Sequence, residues 1–545
     1  MGAGLSLPIS ADVILFNGRI WRGHDDGRCE AVAIWQGKVL ATGADADVLA
    51  LKGPQTEVIN LHGRFACPGL IDNHLHLIAT GLTMGMVDVT ADAAPTLNAM
   101  IEAIATRAAE TPRGEWVLAR GYDQVKLDTG VHPTREDLDH AAPDHPVLVT
   151  RACGHIAIAN SMALEMAGVS ETTATPDGGL IGMTGNRLNG LLAENAISLV
   201  RDAIPEVPED RLVDAIEMGG RLLLSLGITS TMDAAVGHVA GLPEIRAYEL
   251  AKLSGRLPVR VWLTLLGDPG KSIVEDCWRM GLVSGAGDDM LRVGAVKIFL
   301  DGSAGGRTAW MSQPYKDEPD NFGVQMLPDE QVYALVQDYH DKGYALACHA
   351  IGDGAIEQLI TAYEKALAAS PDPDRRHRIE HCGYPSEVQN QRMKAAGILP
   401  APQQAFVYDF GDSYVSVLGE ERGARSYPIG TWTKMGLRPS TGSDSPVCSP
   451  NPFPNLYTMA TRRTWKGTPL CETEKLGREQ ALQVFTEHGA YSQKAEGIKG
   501  RLVPGQWADI AVFSEDLVEV APEVLRDNTH CLLTLLAGRI VYDAR

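Results

Sequence analysis

No stretch of this 545-residue chain stays apolar for the length of a membrane span, so no membrane-embedded role is expected. No Cys-x-x-Cys occurs, and the nine cysteines are an odd number, scattered along the chain. Both facts argue against a disulfide framework and against a zinc knuckle. Buried free thiols in a reducing, cytoplasmic setting are expected instead, as at Cys348 and Cys382. There is no basic stripe: 48 basic residues face 69 acidic ones, a net charge of −21. Nucleic acid and anionic membranes are poor partners for such a chain. The N-terminus lacks the basic n-region of a secretory signal, and Met1-Gly2 with Ser6 fits a myristoylation pattern without any polybasic neighbour. No solenoid repeat or low-complexity tract is visible.

What is present is a soluble-enzyme composition, 45% apolar and 21% charged, in a chain long enough for two or three structural units. Both ends read as strands and turns. Asp12–Trp21 carries an Asn17-Gly18 hairpin signal, and Ala31–Gly43 repeats the pattern at Gln36-Gly37. Ala508–Phe513 and Cys531–Tyr542 look alike, and Gly538-Arg539-Ile540 echoes Gly18-Arg19-Ile20. One small β-sandwich built from residues 1–65 and 495–545 is therefore expected.

Between them, over 66–494, strand-like runs alternate with amphipathic stretches, helices among them at Arg211–Leu226 and Pro328–Lys342. That alternation predicts an α/β fold, a (β/α)8 TIM-like barrel. Its eight strands are expected to end near His76, Asp233, Leu266, Lys297–Leu300, His349, His381, Gln403 and Asp444. The gap between the first two is too long for one helix. It predicts an insertion over about 80–215, with strands at Trp116–Asp123 and Pro146–His155, acting as a lid or substrate wall.

The strand ends carry the chemistry. His74 and His76 close an apolar run, and residues i and i+2 of a strand share one face, so both imidazoles reach one metal ion. His349 and His381 each end an apolar strand, and Asp444 sits in a Gly-Ser turn. Lys297 stands among apolar strand residues. Either its ammonium snorkels to solvent, or its amine has become a carbamate, an anionic oxygen ligand able to bridge two metal ions.

His-x-His, a strand-four Lys, a strand-five His, a strand-six His and a strand-eight Asp, in that order, resemble the amidohydrolase superfamily with a binuclear metal centre. The chain is similar in particular to its YtcJ-like branch, the amidohydrolase family 3 type, which includes N-substituted formamide deformylase. The motifs are Pro-Gly-Leu-Ile-Asp-Asn-His-Leu-His, Arg151-x-x-Gly-His155 with Asn160-Ser161, Val-Lys-Ile-Phe-Leu-Asp-Gly-Ser, His-Ala-Ile-Gly-Asp, Arg-Ile-Glu-His and Gly-Ser-Asp-Ser-Pro.

The resemblance implies that His74, His76 and Asp444 hold the more buried metal, that His349 and His381 hold the more exposed one, and that a carboxylated Lys297 bridges them. Two Zn2+ per chain are the default. A metal-activated hydroxide is then the nucleophile, with Asp444 as its proton acceptor and later the donor to the leaving amine. His155 is a second catalytic candidate, as an oxyanion or substrate contact. Tyr122, Glu194, Asp301 and Arg307 are weaker candidates for substrate binding, and Asp301-Gly302-Ser303 is expected to shape the loop after strand four. The expected partner is a small-molecule amide, with homodimerisation compatible with so large a barrel. A cyclic amide, carbamate or ester would use the same ligands, and an inactive ligand-binding relative would have lost one of them. A glycosidase needs paired acids at strand ends. Asp301 and Glu380 exist, but Glu380 precedes His381 and on a regular strand points the other way.

Overall fold

A computed structural model describes residues 10–124, 126–152, 154, 156–176 and 179–545. Seven parallel strands follow one another around a single sheet. They are β1 Leu70–Leu75, β2 Ile228–Val236, β3 Arg260–Leu266, β4 Leu291–Lys297, β5 Ala345–Ala350, β6 Arg378–His381 and β7 Leu399–Ala401. Every residue of β2 and of β3 is buried, as expected of strands covered on both faces. Helices intervene, including Glu209–Ser225, Asp329–Asp341, Asp353–Ala369 and Glu387–Ala396. The last shows why the sequence starts and stops where it does. Ser386 and Gln389 form a reciprocal capping box, and Gly397 ends the helix at a left-handed φ of 67°.

An eighth ladder strand at Asp444 is expected but not formed. Residues 439–445 instead bridge β7 and β1 irregularly: Ser440 N–H donates to Pro400 O (3.4 Å), Asn73 N–H to Thr441 O (3.0 Å) and Asp444 N–H to His74 O (2.7 Å). The segment contains Pro439, which has no N–H to give, and Asp444 at φ 57°, outside strand geometry. Gly442 lies so close to β1 that a Cβ there would sit 2.5 Å from the His74 backbone. Close approach, not a regular ladder, closes this side of the barrel.

Strands from both ends of the chain form two further sheets. Lys38–Gly43, Ala31–Trp35, Ala11–Phe16 and Lys52–Asn60 make one. Arg539–Asp543, Cys531–Leu536, Ile510–Phe513, Phe65–Pro68, Arg19–Gly23 and Gly27–Cys29 make the other. One core holds residues of both ends together, among them Leu15, Ile34, Val512 and Leu535. Gln36-Gly37 does form a hairpin, with both residues at positive φ. Asn17-Gly18 does not. Ala11–Phe16 already pairs on one side with Ala31–Trp35 and on the other with Lys52–Asn60, so the chain after Asn17 must leave for the second sheet. Arg260, at the start of β3, is buried and bidentate to Asp509 (2.7 and 3.0 Å), which pins this sheet to the barrel.

These parts, residues up to Leu77 with Ile216–Arg545, are one compact unit. Ile78–Ala215 is a second, with its own six-stranded sheet and a core around Met100, Ile104, Val117, Val147 and Ile158. Among the described residues no helix is long and apolar enough to cross a membrane.

Candidate metal centre

The ends of β1, β4, β5 and β6, with the turn at Asp444, bring six side chains together. His74, His76 and Asp444 each offer a ligand atom within 4.8 Å of the others. Asp444 Oδ1 lies 3.1 Å from His76 Nε2 and 3.5 Å from His74 Nε2. The His381 ring is centred 4.9 Å from that of His74 and 4.4 Å from that of His349. His381 and Asp444 have φ of 68° and 57°. Bulky residues adopt that backbone only where the surroundings impose it, and functional sites are where such strain collects.

His74, His349 and His381 each have one ring nitrogen hydrogen-bonded and the other without a hydrogen bond among the described residues. His74 Nδ1 is hydrogen-bonded to the Glu380 carboxylate, and His74 Nε2 is buried with no hydrogen-bond partner among the described residues. His381 Nδ1 donates to Gln403 Oε1 (2.5 Å), whose amide is oriented by donating to Ala401 O (3.0 Å), so Nε2 is left bare. His349 Nε2 donates to Gly302 O (3.1 Å), leaving Nδ1. This is how ligating imidazoles are held: an outer partner sets the tautomer and aims the other nitrogen.

Electrostatics reinforce the pattern. Burial alone would raise the Glu380 carboxyl, but the Arg378 guanidinium and His74 hold it down at about 2. Asp444 is likewise buried, and His74 and His76 keep it ionised, well below the usual carboxylate range. Burial pushes His381 far toward its neutral, ligating form, with His349 and His74 adding to the effect. Lys297 Nζ is buried, has no hydrogen-bond partner among the described residues, and sits 4.8 Å from the centre of the Phe299 ring. Burial lowers its pKa against the opposing pull of Glu380 and Asp444. The snorkelling alternative therefore fails: the amine ends inside the barrel. A donor set of bare imidazole nitrogens, an ionised carboxylate and an unpartnered buried amine fits a metal site.

Some important neighbours escape a reading of strand ends. Arg378 is bidentate to Glu380 (2.7 and 2.9 Å) and buried with it. Contrary to the alternation expected of a regular strand, Glu380 and His381 both reach His74. Glu380 is in register with His349 and points inward with it, while the left-handed backbone at His381 swings the next side chain back to the same side. The usable signal was Arg378-Ile-Glu380, opposite charges at i and i+2 in a strand that must be buried. Asp72 accepts Ser443 N–H (3.2 Å to each oxygen) and His74 N–H (3.2 Å), tying β1 to the Asp444 turn. Burial raises its pKa to about 7. Phe406 stacks on His381 with centroids 5.7 Å apart, and Phe299 lies 5.3 Å from His349.

The substrate-contact candidates fare differently. The Asp301 carboxylate is fully buried and accepts N–H from Trp310 (3.0 Å), Ile351 (3.0 Å) and Gly352 (2.8 Å), with His349 Nε2 at 3.2 Å. It shapes the loop after β4 and has no oxygen to spare for a substrate. Arg307 is half-buried and ion-paired with Glu318. Tyr122 is buried within the insertion, its hydroxyl 3.0 Å from His132 Nδ1. Glu194 is exposed at the end of the strand Arg187–Glu194, with φ 51°. His155 lies outside the described residues.

A model of the amidohydrolase family matches residues 57–542. The chain belongs to the amidohydrolase family. It is 30% identical to the putative amidohydrolase YtcJ of Bacillus subtilis (strain 168), over 96% of this chain and 99% of that protein. It is 27% identical to N-substituted formamide deformylase of Arthrobacter pascens, over 98% of each. Among solved structures it is similar to an uncharacterized metal-dependent hydrolase from Pyrococcus furiosus, with a TM-score of 0.76, 26% identity, and coverage of 93% of this chain and 100% of that one. Family membership makes the protein a metal-dependent hydrolase and supports carbon–nitrogen bonds as its target.

Proposed function

We propose that the protein hydrolyses the carbon–nitrogen bond of a small-molecule amide, an N-substituted formamide or another N-acyl amine, at a centre of two divalent metal ions. The observation that carries this reading is the grouping of His74, His76 and Asp444, with His74 Nε2 and Asp444 Oδ1 buried and without a hydrogen-bond partner among the described residues, beside the Lys297 amine, which is in the same state. His74, His76 and Asp444 would hold one ion and His349 and His381 the other. Bound there, a divalent ion such as zinc supplies a Lewis acid that acidifies water and polarises a carbonyl.

The chain's own groups do the rest. Lys297 is buried and biased toward the neutral amine. Its Nζ lone pair can add to the carbon of CO2 with loss of one proton, giving an anionic carbamate between the two histidine pairs. Asp444, kept ionised, accepts the proton of the attacking water at a carboxylate oxygen and returns it to the departing amine nitrogen. Glu380 and Arg378 hold His74, Gln403 holds His381, and the Asp301 loop holds His349. His155 is proposed as a contact to the scissile carbonyl. N-substituted formamide deformylase, similar over nearly the whole length, supports the formamide version of the substrate.

The test is metal content per chain on protein purified without chelators, with native mass measurement for a CO2 adduct, followed by an amine-release screen of N-formyl and N-acyl amines. Two ions, a 44-Da adduct lost in Lys297→Ala, and zinc-dependent amine release are the expected results. Hydrolysis of cyclic amides or esters alone, read by acid production, would overturn the substrate, and absence of bound metal with no zinc-dependent turnover would overturn the reading.

A further inference from the structure

At the opposite ends of the same strands, the barrel's N-terminal mouth holds a cavity of about 320 Å3 that none of the proposed chemistry uses. Its apolar wall is Met232 and Trp262. The rest is cationic: Arg292, Arg375, Arg376, Arg378 and Lys494 line it, against a single acid, Asp372. The other acids paired with these cations, Asp289, Asp374, Glu380 and Glu496, are not part of the lining, so the wall itself is cationic in a chain of net charge −21.

We propose that this cavity is a binding site for a small, multiply charged oxyanion, a phosphate or a compact dicarboxylate. Arg292 and Arg375 are held rather than consumed by their acidic neighbours, whereas Arg376 and Arg378 frame the cavity with most of their donors already committed. Arg292 donates to Asp289 (2.9 Å) and Arg375 approaches Asp372 (3.0 Å), while Arg376 donates to Asp374 (2.6 Å), to both oxygens of Glu496 (2.7 and 3.1 Å) and to Tyr491 O, and Lys494 lies 3.7 Å from Asp374. A guanidinium has five donors, so the Arg292 and Arg375 pairs leave others over, and Arg292 Nε is buried with no hydrogen-bond partner among the described residues. Arg378 closes the inner end, where Glu380, the backbone oxygen of Asn73, Ser492 and Met232 take its donors, so that it contributes charge rather than hydrogen bonds. Planar guanidinium forks match the geometry of phosphate and carboxylate alike. The volume is about ten times the ~30 Å3 share of one water, room for an oxyanion with part of its hydration shell. Small side chains keep it open: Gly294, Ala295 and Ala345 stand where larger residues would fill the mouth.

The cavity lies at the other end of the strands from the metal centre and shares Arg378 with its supports, so its test, run with and without metal, is separable from that of the hydrolase reading. Calorimetric titration and thermal unfolding of the full chain, metal-free and metal-loaded, are run with inorganic phosphate, with malonate, and with chloride at matched ionic strength. Saturable stabilisation by phosphate or malonate, with neither effect from chloride, is expected in both forms, and which anion wins identifies the source. Arg375→Gln and Lys494→Gln should each weaken binding at least tenfold; Lys494 is 45% exposed, so its replacement leaves the fold intact. No saturable binding of either oxyanion, or equal binding by the wild type and both variants, overturns the proposal.

Discussion

Two sets of buried histidines occupy the two ends of one barrel, and they are finished in opposite ways. At the C-terminal ends, His74, His349 and His381 each have one nitrogen tied and one left bare. At the N-terminal ends, Leu346 N–H donates to His377 Nδ1 (3.1 Å), His377 Nε2 faces His340 Nδ1 (3.0 Å), and His340 Nε2 faces Ser370 O (2.7 Å). Only one proton arrangement satisfies that chain: His377 protonated on Nε2, His340 on Nε2, both neutral. Tyr363 stacks on His377 at 4.6 Å and completes the packing. A histidine whose donors and acceptors are all matched is structural, whereas one held by a single partner with its other nitrogen aimed into a polar cluster is poised to bind. Burial alone does not distinguish them.

The largest expected effect breaks the bare end. Asp444→Asn removes the proton acceptor while keeping an oxygen ligand; kcat should fall by ~10²–10⁴-fold with metal content largely retained. Unchanged kcat would remove Asp444 from proton transfer. Next, Glu380→Gln leaves His74 in place but weakens its orienting partner. Zinc affinity, read by chelator competition, should drop roughly 10–100-fold. An unaltered affinity would mean that Glu380 serves the Arg378 pair alone.

The amine sharpens the comparison further. Lys297→Met in metal-free protein replaces an unpartnered buried amine with an apolar chain of similar length. Unfolding in urea should show equal or greater stability than the wild type, while zinc should stabilise the variant less than it does the wild type. A loss of more than about 1 kcal/mol without metal would indicate that Lys297 has a structural partner.

The smallest effect belongs to the matched end. Burial, with His340, Arg375 and Lys494, holds the His377 pKa well below 6.5. The unfolded chain therefore binds more protons than the native one below pH ~6.5. His377 contributes its stability fully above that pH and loses it as pH falls toward the depressed native value. In metal-free protein, His377→Asn should flatten the decline in urea midpoint between pH 7 and pH 5 relative to the wild type. Equal slopes would show that other groups carry it.

How much of this was legible beforehand follows from what each signal depends on. His74 and His76 were readable because strand periodicity is local, and β4, β5 and β6 end at or within a few residues of the expected positions. The Asn17-Gly18 hairpin was misread because a turn signal says nothing about whether the neighbouring strand still has a free edge. The eighth strand was misread because backbone contacts to β1 and β7, far apart in sequence, set the course of residues 439–445. Glu380 was assigned to the wrong face because alternation assumes that the strand continues, and His381 ends it with a left-handed residue.

The sequence by itself determined the barrel's alternating order, the family motifs and the residue types of the donor set, because apolar periodicity and the chemistry of imidazole, carboxylate and amine are properties of short segments. Only the tertiary structure decided which nitrogen of each site histidine is left for a ligand, that Lys297 ends inside the barrel with no hydrogen-bond partner among the described residues, and that five cations line the other mouth. Those outcomes depend on hydrogen-bond partners and burial supplied by strands hundreds of residues apart, which no local pattern encodes.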